Sequence, residues 1–492
     1  MIAGSLSLLV AILAWASVAQ AQPNLWVDGD SRGGPCSDSS ARDTVTAAVP
    51  LCTLAAAANM VQPGDTVLVR GGEYTELHTC RLCNDNAVLQ LTTSGSADAW
   101  IKFVAEAGET VVITGQGGAQ HGIQIAETYD GSVRPSFISV EGFQVRDVPG
   151  NCVAVNTDDV VLRGLDLTGC GRGAVELHST ARVTIESSTI HNNLMTGWTS
   201  AIDLYQCLDG NVVRGNYIWA NTDEDPRDSE GHGITMDYCQ EAGGALIENN
   251  IIWANEGWCM AIFVSDGATI RNNTCWKNGT RGNETGELSL LGSRHSVHNN
   301  VAVPRDGAVA LTLRLQNSVW SSDFSTVSAN HNILWAPTHT EVVHFGENYW
   351  RTVAQYQAEN VYGWGADSLQ ASPMLVDPDN QDFSLADGSP AIDSGDPSHA
   401  AERSVTEQAR PCDGDGDGDA VVDRGAHEMK CAGQPGEPGG SGGSENPGGG
   451  GSPGGADGSG GGCSVGPTPS ADLVWFGLLA VILLRRRRDS RS

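Results

Sequence analysis

Lysine is the scarcest charged residue in this sequence. The chain has 492 residues but only three lysines, Lys102, Lys277 and Lys430, and its 28 Lys plus Arg against 59 Asp plus Glu give a formal net charge of −31. Nucleic-acid binding depends on clustered Lys and Arg that neutralise phosphates. The charge balance therefore argues against nucleic acid as a partner.

Charged residues as a whole are few, and the glycines follow no short period. Charged residues make up 18% of the chain, which is low for a coiled coil, and the 61 glycines lack the period of three that collagen requires. The apolar fraction of 40% is ample for a large core, so the chain as a whole is not disordered. A secreted, acidic protein is the first expectation.

The N-terminus is typical of a signal peptide, over residues 1–21. A short apolar core runs from Leu6 to Ala16, and Ala19-Gln20-Ala21 fits cleavage before Gln22. Export would permit disulfides among the 13 cysteines.

The C-terminus combines a linker with a short hydrophobic tail. Residues 432–466 are rich in Gly, Pro and Ser and cannot form a packed core. Residues 467–492 contain an apolar run that ends in the four arginines Arg485 to Arg488. As a helix, the run from Ala471 to Leu484 rises only about 21 Å, which is short of a bilayer core of about 30 Å.

This tail resembles the C-terminal sorting signals of myxobacterial surface proteins, which combine a Cys, here Cys463, with a short hydrophobic helix and an Arg cluster. The resemblance implies export and sorting machinery as partners, cleavage near Cys463, and display at the cell surface or outer membrane, or release from it. A plain weak membrane anchor is the alternative. In either case the membrane is contacted only through the tail.

The middle of the chain repeats a short strand followed by an Asn-rich turn. Aligned on one turn position, the anchors fall at residues 142, 164, 188, 216, 250, 273, 300 and 332, with spacings of 22, 24, 28, 34, 23, 27 and 32. A minimum near 22 with insertions on some turns indicates a solenoid, and short strands rich in Val and Ile make it a β-solenoid.

Apolar residues recur at two fixed positions around the anchor. Three residues before it stand Val213, Ile247, Ile270 and Val297, and two after it stand Ile218, Ile252 and Leu334. We expect both sets to point inward, with rungs stacked about 4.8 Å apart. Repeated Asn at the anchor predicts an internal amide ladder that satisfies the turn backbone, which is a structural feature.

From about Leu25 to Glu428 the sequence resembles the pectate-lyase-like, right-handed parallel β-helix proteins. The resemblance rests on Leu25-Trp26-Val27-Asp28, Pro63 to Tyr74, the rungs Leu246 to Asn255 and Thr269 to Asn278, and Asp423 to Glu428. It implies an all-β fold, a right-handed parallel β-helix with a short N-terminal capping helix near Thr53 to Gln62. The implied divisions are a cap with the first rungs (22–118), the repeats (119–372) and a closing module (373–431). This fold hosts many functions.

Twelve cysteines are predicted to pair. Cys207 and Cys239 end similar strands on neighbouring rungs, which suits the Cα separation of a disulfide. Proximity in sequence suggests the other pairs, Cys36–Cys52, Cys80–Cys83, Cys152–Cys170, Cys259–Cys275 and Cys412–Cys431. The Cys80-x-x-Cys83 spacing also matches a redox motif, but a structural disulfide is the prediction.

Two acidic runs are candidate Ca²⁺ sites. In the longest insertion the candidate ligands are Asp223, Asp225, Asp228 and Glu230, with a solvated acidic loop as the alternative. The second set is Asp413, Asp415, Asp417 and Asp419, which is not an EF-hand because Arg424 stands at the twelfth position, where a Glu is required. Bound Ca²⁺ would let this acidic protein bind an acidic polysaccharide.

The longest insertion also resembles polysaccharide lyase family nine. Those β-helix lyases carry an Asp-Gly and, one rung later, an Asp-Asp-Gly-Trp-Asp that bind Ca²⁺, and a lysine base on a later rung. Here Glu230-Gly231 stands at the first motif, Asn255 to Cys259 at the second with Glu256 as its remaining carboxylate, and no lysine at Gly286 to Ser289. Lys277 and Arg294 are the nearest candidate bases, with ordinary surface charge as the alternative for both.

A hydrolase that uses other carboxylates stays open. Asn156-Thr157-Asp158 and Gly231-His232-Gly233 echo two polygalacturonase motifs, but the other two are absent. Glycosidases need two facing carboxylates, and Asp203 and Asp237 lie on adjacent predicted rungs.

Three tryptophans, Trp219, Trp253 and Trp276, stand three residues after the anchor on consecutive rungs. If the residue before each points inward, these point outward, and their indoles would form an apolar strip suited to sugar rings. Trp258 joins them as a substrate-binding candidate. The alternative is that insertions cover the strip.

These features predict an exported, cell-surface β-helix protein that binds an acidic polysaccharide. The residues leave open whether it also cleaves one, as a polysaccharide lyase or a glycoside hydrolase. The other class of function is non-catalytic, a surface or adhesion protein whose solenoid is a rigid spacer.

Overall fold

The computed structural model describes residues 24–30, 35–78, 83, 85–224, 230–240, 244–281, 286–314, 322–346, 349–358 and 362–431. The predicted signal peptide, linker and tail, with Cys463, lie outside the described residues. Within the described ranges no helix combines the length and apolar character needed to cross a membrane.

Three parallel sheets, to which most rungs contribute one strand each, form the described solenoid. Sheet 1 contains Asn24–Val27, Thr66–Val69, Ile101–Ala105, Ile138–Glu141, Val160–Arg163, Val183–Glu186, Asn211–Arg214, Ala245–Glu248, Thr269–Arg271, Ser296–His298 and Ser328–Asn330. Sheet 2 contains Gly72–Tyr74, Val111–Thr114, Phe143–Arg146, Asp166–Thr168, Thr189–His191, Tyr217–Trp219, Ile251–Trp253, Thr274–Trp276, Val301–Val303 and Ile333–Leu334.

Sheet 3 contains Ala87–Leu91, His121–Ala126, Val153–Asn156, Val175–His178, Ile202–Tyr205, Ile234–Asp237, Met260–Phe263, Gly286–Leu290, Val309–Leu313, Val343–Phe345 and Tyr349–Arg351. The last of these pairs antiparallel and ends the sheet. Two smaller strand pairs are Leu194–Met195 with Thr222–Asp223, and Leu375–Asp377 with Asp382–Leu385.

Alternate side chains of each strand point into one continuous apolar core. Val213, Ile247 and Ile270 are register partners in sheet 1 and are fully buried. Ile218 and Ile252 are partners in sheet 2 and are equally buried. Both predicted sets point inward, and the all-β, parallel β-helix is confirmed.

The register corrects the predicted repeat by one residue at its N-terminal end. Glu186 pairs with Arg163, so the equivalent of the anchor Ser188 is Leu165 rather than Gly164. Gly164 instead occupies the preceding turn position, with φ of 61°. Glycine adopts this left-handed conformation freely, and it stands on the early rungs where later rungs have Asn.

The predicted asparagine ladder lies at the turn between sheets 1 and 2. Asn250 Nδ2 donates to Asn273 Oδ1 at 3.0 Å and to the Val213 carbonyl at 2.9 Å, and Asn250 Oδ1 accepts from Asn216 N at 3.0 Å. The ladder runs through Ser188, Asn216, Asn250, Asn273, Asn300 and Asn332 to Ser368. All of these residues are buried, so the ladder satisfies turn backbone away from water.

A second ladder, which the sequence reasoning missed, lies where the chain leaves sheet 2. Asn193, Asn221, Asn255 and Asn278 are bonded in the same way, and Glu287 ends the series by accepting from Asn278 Nδ2 at 2.7 Å. The available signal was that each of these Asn residues stands five positions after an anchor. Burial raises the pKa of Glu287 to about 8.

The predicted capping helix spans Leu54–Met60 and packs against Asn24–Val27 and Ala87–Leu91. Thr53 caps its N-terminus, because its hydroxyl accepts from Ala56 N at 3.1 Å. The other described helical segments are Val353–Ala358 and the short 3-10 turns Arg42–Thr44, Gly115–Gly117, Phe324–Thr326, Pro378–Asn380 and Pro397–His399.

Five of the six predicted disulfides fall within the described part of the chain and are formed. They are Cys36–Cys52, Cys152–Cys170, Cys207–Cys239, Cys259–Cys275 and Cys412–Cys431. Cys80 lies outside the described residues, so its pairing with Cys83 stays a prediction. Several structural disulfides are typical of an exported protein.

Residues of the predicted closing module pack along sheet 2 and its turn with sheet 1. Asn272 Nδ2 donates to the Asp423 carbonyl at 3.0 Å, and its Oδ1 accepts from Ala401 N at 2.9 Å. Ala426 N donates to Thr274 Oγ1 at 3.0 Å. This side of the solenoid is therefore an internal interface.

Candidate functional site

Four carboxylates interact at the outer face of sheet 3. Glu176, Asp203 and Asp237 come from three consecutive strands of the sheet, and Glu230 precedes the third of these strands. We call Glu176, Asp203, Glu230 and Asp237 the carboxylate cluster.

Asp203 is strongly removed from water. Only 7% of the residue is exposed, and its Oδ1 is buried without a hydrogen-bond partner among the described residues. Burial, followed by the charges of Glu176, Asp237 and Glu230, raises the pKa of Asp203 well above its ordinary value, against an opposing effect of Arg172. The Asp203 carboxyl therefore keeps its proton at pH values where an exposed aspartate is ionised.

Asp203 and Asp237 are diagonal neighbours rather than direct partners. Asp203 pairs in register with Glu176 and Thr235, and Asp237 pairs with Tyr205. The register confirms that the two aspartates lie on adjacent rungs, with Cα atoms roughly 8 Å apart for an offset of two residues. Glu176 was not predicted, although its polar side chain alternates with apolar ones in the aligned strand.

The outer members of the carboxylate cluster have polar partners. Glu176 Oε2 accepts from Asn151 Nδ2 at 2.5 Å. His232 Nε2 lies 3.3 Å from Glu230 Oε2, and His232 Nδ1 accepts from Trp258 N at 2.9 Å. Burial lowers the pKa of His232 to about 3. A neutral His232 that accepts at Nδ1 carries its proton at Nε2, where it donates to Glu230.

A protonated carboxyl beside ionisable carboxylates can perform acid–base chemistry on a glycosidic bond. Such chemistry needs an acid that protonates the leaving oxygen and a carboxylate that acts as base or nucleophile. Asp203 fits the first role. Glu176 and Asp237 fit the second, because both are only partly buried.

Asp223 of the acidic insertion and Glu256 of the second lyase-like motif lie beside an arginine. Arg281 Nε lies 3.0 Å from Glu256 Oε1, and one terminal nitrogen of Arg281 lies 4.0 Å from Asp223 Oδ2. Glu256 Oε2 also accepts from Asp223 N at 2.6 Å. The guanidinium supplies the positive charge that Ca²⁺ would bring, and Glu230 contacts His232 instead. The predicted Ca²⁺ site in this insertion stays a prediction, because part of its ligand set lies outside the described residues.

The remaining positions of the lyase-like motifs have structural roles. Asn255 is a member of the second ladder, and Cys259 is bonded to Cys275. Neither is an exposed replacement for a metal ligand. Asp225 and Asp228 lie outside the described residues.

Neither predicted base lies on the face that carries the carboxylate cluster. Lys277 follows a strand of sheet 2, and its Nζ lies 2.9 Å from Asp379 Oδ1 and 5.0 Å from the Trp276 ring centre. Arg294 precedes a strand of sheet 1 and lies 3.4 Å from Asp266 Oδ2. Their geometry favours the alternative role, ordinary surface ion pairs.

The predicted tryptophan strip lies on sheet 2, where the closing module packs against it. Trp219 and Trp253 stack with ring centres 4.6 Å apart, and His191 stacks on Trp219 at 4.5 Å. Phe383 of the closing module packs 5.0 Å from Trp253, which is only 8% exposed, and Trp276 is part of the same contact. The expectation of an open strip is corrected at Trp253, which is buried in an internal interface, whereas Trp219 and Trp276 are partly buried at its edge.

Trp258 lies at the carboxylate cluster instead. Its backbone N donates to His232. The residue is 5% exposed, packs with Ala261 and Val309, and has the Arg314 guanidinium 5.8 Å from its ring centre. Trp258 is therefore a buried residue that contacts His232, the partner of Glu230, rather than an open stacking surface.

The second acidic run forms part of a candidate cation site. One carboxylate oxygen each of Asp393, Asp413 and Asp415 lies within 4.8 Å of the others. Asp393 was not predicted. Asp417 Oδ1 accepts from Asp419 N at 2.8 Å and so closes its own turn. The three converging carboxylates fit Ca²⁺, whose remaining oxygen ligands can be water.

Comparison with known proteins gives one family match. A family model described as the Pel9A-like, right-handed beta-helix region matches residues 36–293. A search of curated proteins finds no match.

Three solved structures are among those similar to this chain. A pectate lyase Pel9A is 15% identical, with 83% of this chain and 98% of that chain covered at a TM-score of 0.49. A rhamnogalacturonan lyase is 11% identical, with 74% and 95% covered at 0.46, and a structure named glycoside hydrolase is 10% identical, with 70% and 96% covered at 0.46.

The family model spans more than half of the chain and includes the whole carboxylate cluster. Its right-handed β-helix agrees with the three parallel sheets. The chain belongs to the Pel9A-like family of right-handed β-helix proteins.

Proposed function

We propose that this protein is exported, displayed at the cell surface, and binds a polysaccharide on the outer face of sheet 3, where it hydrolyses glycosidic bonds. The observation that carries the proposal is the buried Asp203 carboxyl beside three other carboxylates. Membership of the Pel9A-like family supports a carbohydrate ligand.

In the proposed reaction, Asp203 protonates the leaving oxygen of the scissile bond. Asp237 or Glu176, in its ionised form, activates water or attacks the anomeric carbon. Glu230, which receives a hydrogen bond from His232, contributes negative charge that keeps the proton on Asp203. Carboxylates in different environments thereby take different roles.

Elimination is less well supported than hydrolysis. A lyase needs a cationic base and neutralisation of the uronate carboxylate. Arg172, one cation beside the cluster, lies 3.7 Å from Glu176 and is paired with it, and Arg314, whose charge acts on His232, lies 5.8 Å from the Trp258 ring centre. Lys277 follows a strand of sheet 2 and Arg294 precedes a strand of sheet 1.

The charge of the cluster also bears on the substrate. The ionised members of the cluster repel a polyuronate unless a divalent cation bridges the two. A neutral or weakly acidic polysaccharide meets no such barrier. Ca²⁺ held by Asp393, Asp413 and Asp415 would stabilise the closing module, since all three residues belong to it.

The proposal is tested with purified protein on neutral and acidic polysaccharides, with and without Ca²⁺, by measuring new reducing ends and the absorbance of unsaturated uronates. We expect reducing ends without unsaturated product, and a loss of at least about 100-fold in Asp203→Asn. Asp166→Asn on sheet 2 is the matched control and should keep activity.

Two outcomes would contradict this function. Unsaturated uronates would show elimination. No product from any polysaccharide, with glycan binding equal in wild type and Asp203→Asn, would favour the non-catalytic surface or spacer class.

Surface display is tested separately by mass spectrometry of the mature chain. We expect an N-terminus at Gln22 and a C-terminus near Cys463. An exported protein that retains Arg485 to Arg488 would contradict the sorting proposal and favour a membrane anchor.

A further inference from the structure

A histidine-rich cluster lies between the late rungs and the closing module. His298 and His331 stand on adjacent rungs, one at the end of a sheet 1 strand and one just after the next, and Asp396 belongs to the closing module. One ring nitrogen of each histidine and one carboxylate oxygen of Asp396 lie within 4.8 Å of one another. We call these three residues the histidine cluster.

The two histidines have the same nitrogen left over. Nδ1 of His298 and Nδ1 of His331 are both buried and have no hydrogen-bond partner within the described ranges. His298 Nε2 lies 2.9 Å from Ser328 Oγ, a hydrogen bond that holds the ring, whereas His331 Nε2 lies 3.6 Å from Asp367 Oδ2, an ion-pair contact longer than a hydrogen bond. His298 thus has the arrangement of a metal-binding histidine, because the outer partner fixes the ring and leaves the other nitrogen for the metal.

The spacing between donors also suits a metal. His298 Nδ1 lies 3.8 Å from Asp396 Oδ2, which is too long for a hydrogen bond. Two ligands bonded at about 2.1 Å to a tetrahedral Zn²⁺ lie about 3.4 Å apart. His298 is only 2% exposed, so its free nitrogen faces the cluster rather than water.

Asp396 is held in place from both sides. Its backbone N donates to Asn299 Oδ1 at 2.7 Å, and its Oδ1 accepts from Ser398 N at 2.9 Å. Asp396 Oδ2, the oxygen nearest His298, also lies 2.6 Å from Nδ1 of His399. The His399 ring stacks on His298 with centres 3.9 Å apart. The carboxylate is therefore oriented before any ion binds.

His331 stands where three other rungs have asparagine. Asn249, Asn272, Asn299 and His331 each precede an anchor and have φ of 56°, 51°, 58° and 54°. The three Asn side chains donate to backbone carbonyls of the closing module, Asn299 to Asp396 at 2.9 Å. Asn is enriched in this left-handed conformation. At the fourth position His331 therefore has an imidazole, which can bind a metal, in place of the amide that contacts the closing module on the other rungs.

We propose that His298, His331 and Asp396 bind one divalent transition-metal ion of the Zn²⁺ class, which joins the closing module to the late rungs. A fourth position is left for water or for His399. Imidazole and carboxylate donors suit Zn²⁺ rather than Ca²⁺, which takes oxygen ligands. This site is independent of the proposed hydrolysis at sheet 3.

The test uses the full mature protein, stripped with EDTA and dialysed into Ca²⁺ buffer so that the carboxylate sites are saturated. Isothermal titration with ZnCl₂ is expected to show one site per chain, and the melting temperature is expected to rise. CoCl₂ should give the visible absorption of a tetrahedral nitrogen and oxygen site.

Variants connect this binding to the cluster. His331→Ala, at a partly exposed position, and Asp396→Asn should each weaken Zn²⁺ binding at least about tenfold and remove the thermal shift. His339→Ala, outside the cluster, is the control and should bind as the wild type does.

Three results would overturn the proposal. One is no Zn²⁺ binding by the stripped wild type at about 100 μM. Another is wild-type affinity in both His331→Ala and Asp396→Asn. The third is full displacement of Zn²⁺ by Ca²⁺, which would show an oxygen-ligand site instead.

Discussion

The outward faces of sheets 2 and 3 belong to the same rungs but are built in opposite ways. On sheet 2, Trp219 and Trp253 stack, and Phe383 of the closing module packs over them. On sheet 3, outward positions carry carboxylates, and Asp203 is buried beside Glu176 with its pKa raised well above the ordinary value. Neither the outward tryptophans nor the outward carboxylates contribute to the apolar core inside the solenoid.

The difference shows how to distinguish a solenoid face that packs against another part of the chain from a face that is a candidate for catalysis. Outward aromatic residues that find partners within the chain stabilise the fold. A buried carboxyl without a hydrogen-bond partner on Oδ1 destabilises it, and such groups concentrate at functional sites. The outer face of sheet 3, which carries the destabilising carboxyl, is therefore the better candidate for catalysis.

The largest expected effect on stability is at the sheet 2 face. Trp253→Ala should lower the free energy of unfolding by about 3–5 kcal/mol, because it opens a cavity under Phe383. Glycan binding should be unchanged. Thermal and denaturant unfolding would measure the loss, with the exposed Trp198→Ala as control. If Trp253→Ala folds but no longer binds glycan, the prediction of an open tryptophan strip that binds sugar would be supported instead.

The amide ladder should be next in size. Asn250→Ala removes ladder hydrogen bonds to Asn216, Asn273 and Val213 and leaves buried backbone groups unsatisfied. We expect a loss of about 2–3 kcal/mol. Denaturant titration beside the exposed Asn380→Ala measures it, and equal midpoints for the two variants would contradict a structural ladder.

The fold could be predicted from the sequence, because Val213, Ile247 and Ile270 repeat at the spacing that stacking requires. The error of one residue at Gly164 arose because glycine and asparagine share the left-handed turn. Asn255 was interpreted as a lost metal ligand because its ladder partners Asn221 and Asn278 lie on the neighbouring rungs, 34 and 23 residues away in the sequence.

The candidate site was predicted in part. Asp203 and Asp237 were placed on adjacent rungs, but the burial of Asp203 depends on other segments of the chain. The cover of Trp253 comes from Phe383, which lies far along the sequence. Strand periodicity specifies which way a side chain points, but not what packs on it.

Substitution of Asp203 on the sheet 3 face should stabilise the protein, whereas the substitutions of Trp253 and Asn250 should destabilise it. Asp203→Asn should raise the melting temperature by about 2 °C or more at pH 8, and less at pH 5. The pKa of Asp203 is raised in the folded state, so the wild type loses stability as pH rises through that pKa, whereas Asn cannot ionise. Thermal unfolding at both pH values measures this, and a lower melting temperature for the variant at pH 8 would contradict it.

The smallest expected effect concerns calcium. Asp415→Asn and EGTA treatment should each lower the melting temperature by roughly 1–3 °C, and EGTA should have no further effect on the variant, because both act on the cluster with Asp393 and Asp413. Asp387→Asn, at an exposed position of the closing module outside the candidate site, is the matched control. If EGTA does not change the melting temperature of the wild-type protein, the proposal of a calcium site in the closing module is contradicted.

The central claim is that the buried Asp203 carboxyl on the outer face of sheet 3 lowers the stability of the fold and serves as the acid in hydrolysis. One preparation each of wild type and Asp203→Asn, assayed for reducing ends on a cleaved polysaccharide and for melting temperature at pH 8, tests it directly. The prediction is that activity falls at least about 100-fold while the melting temperature rises. Activity retained in the variant, or activity and melting temperature lost together, would contradict the claim.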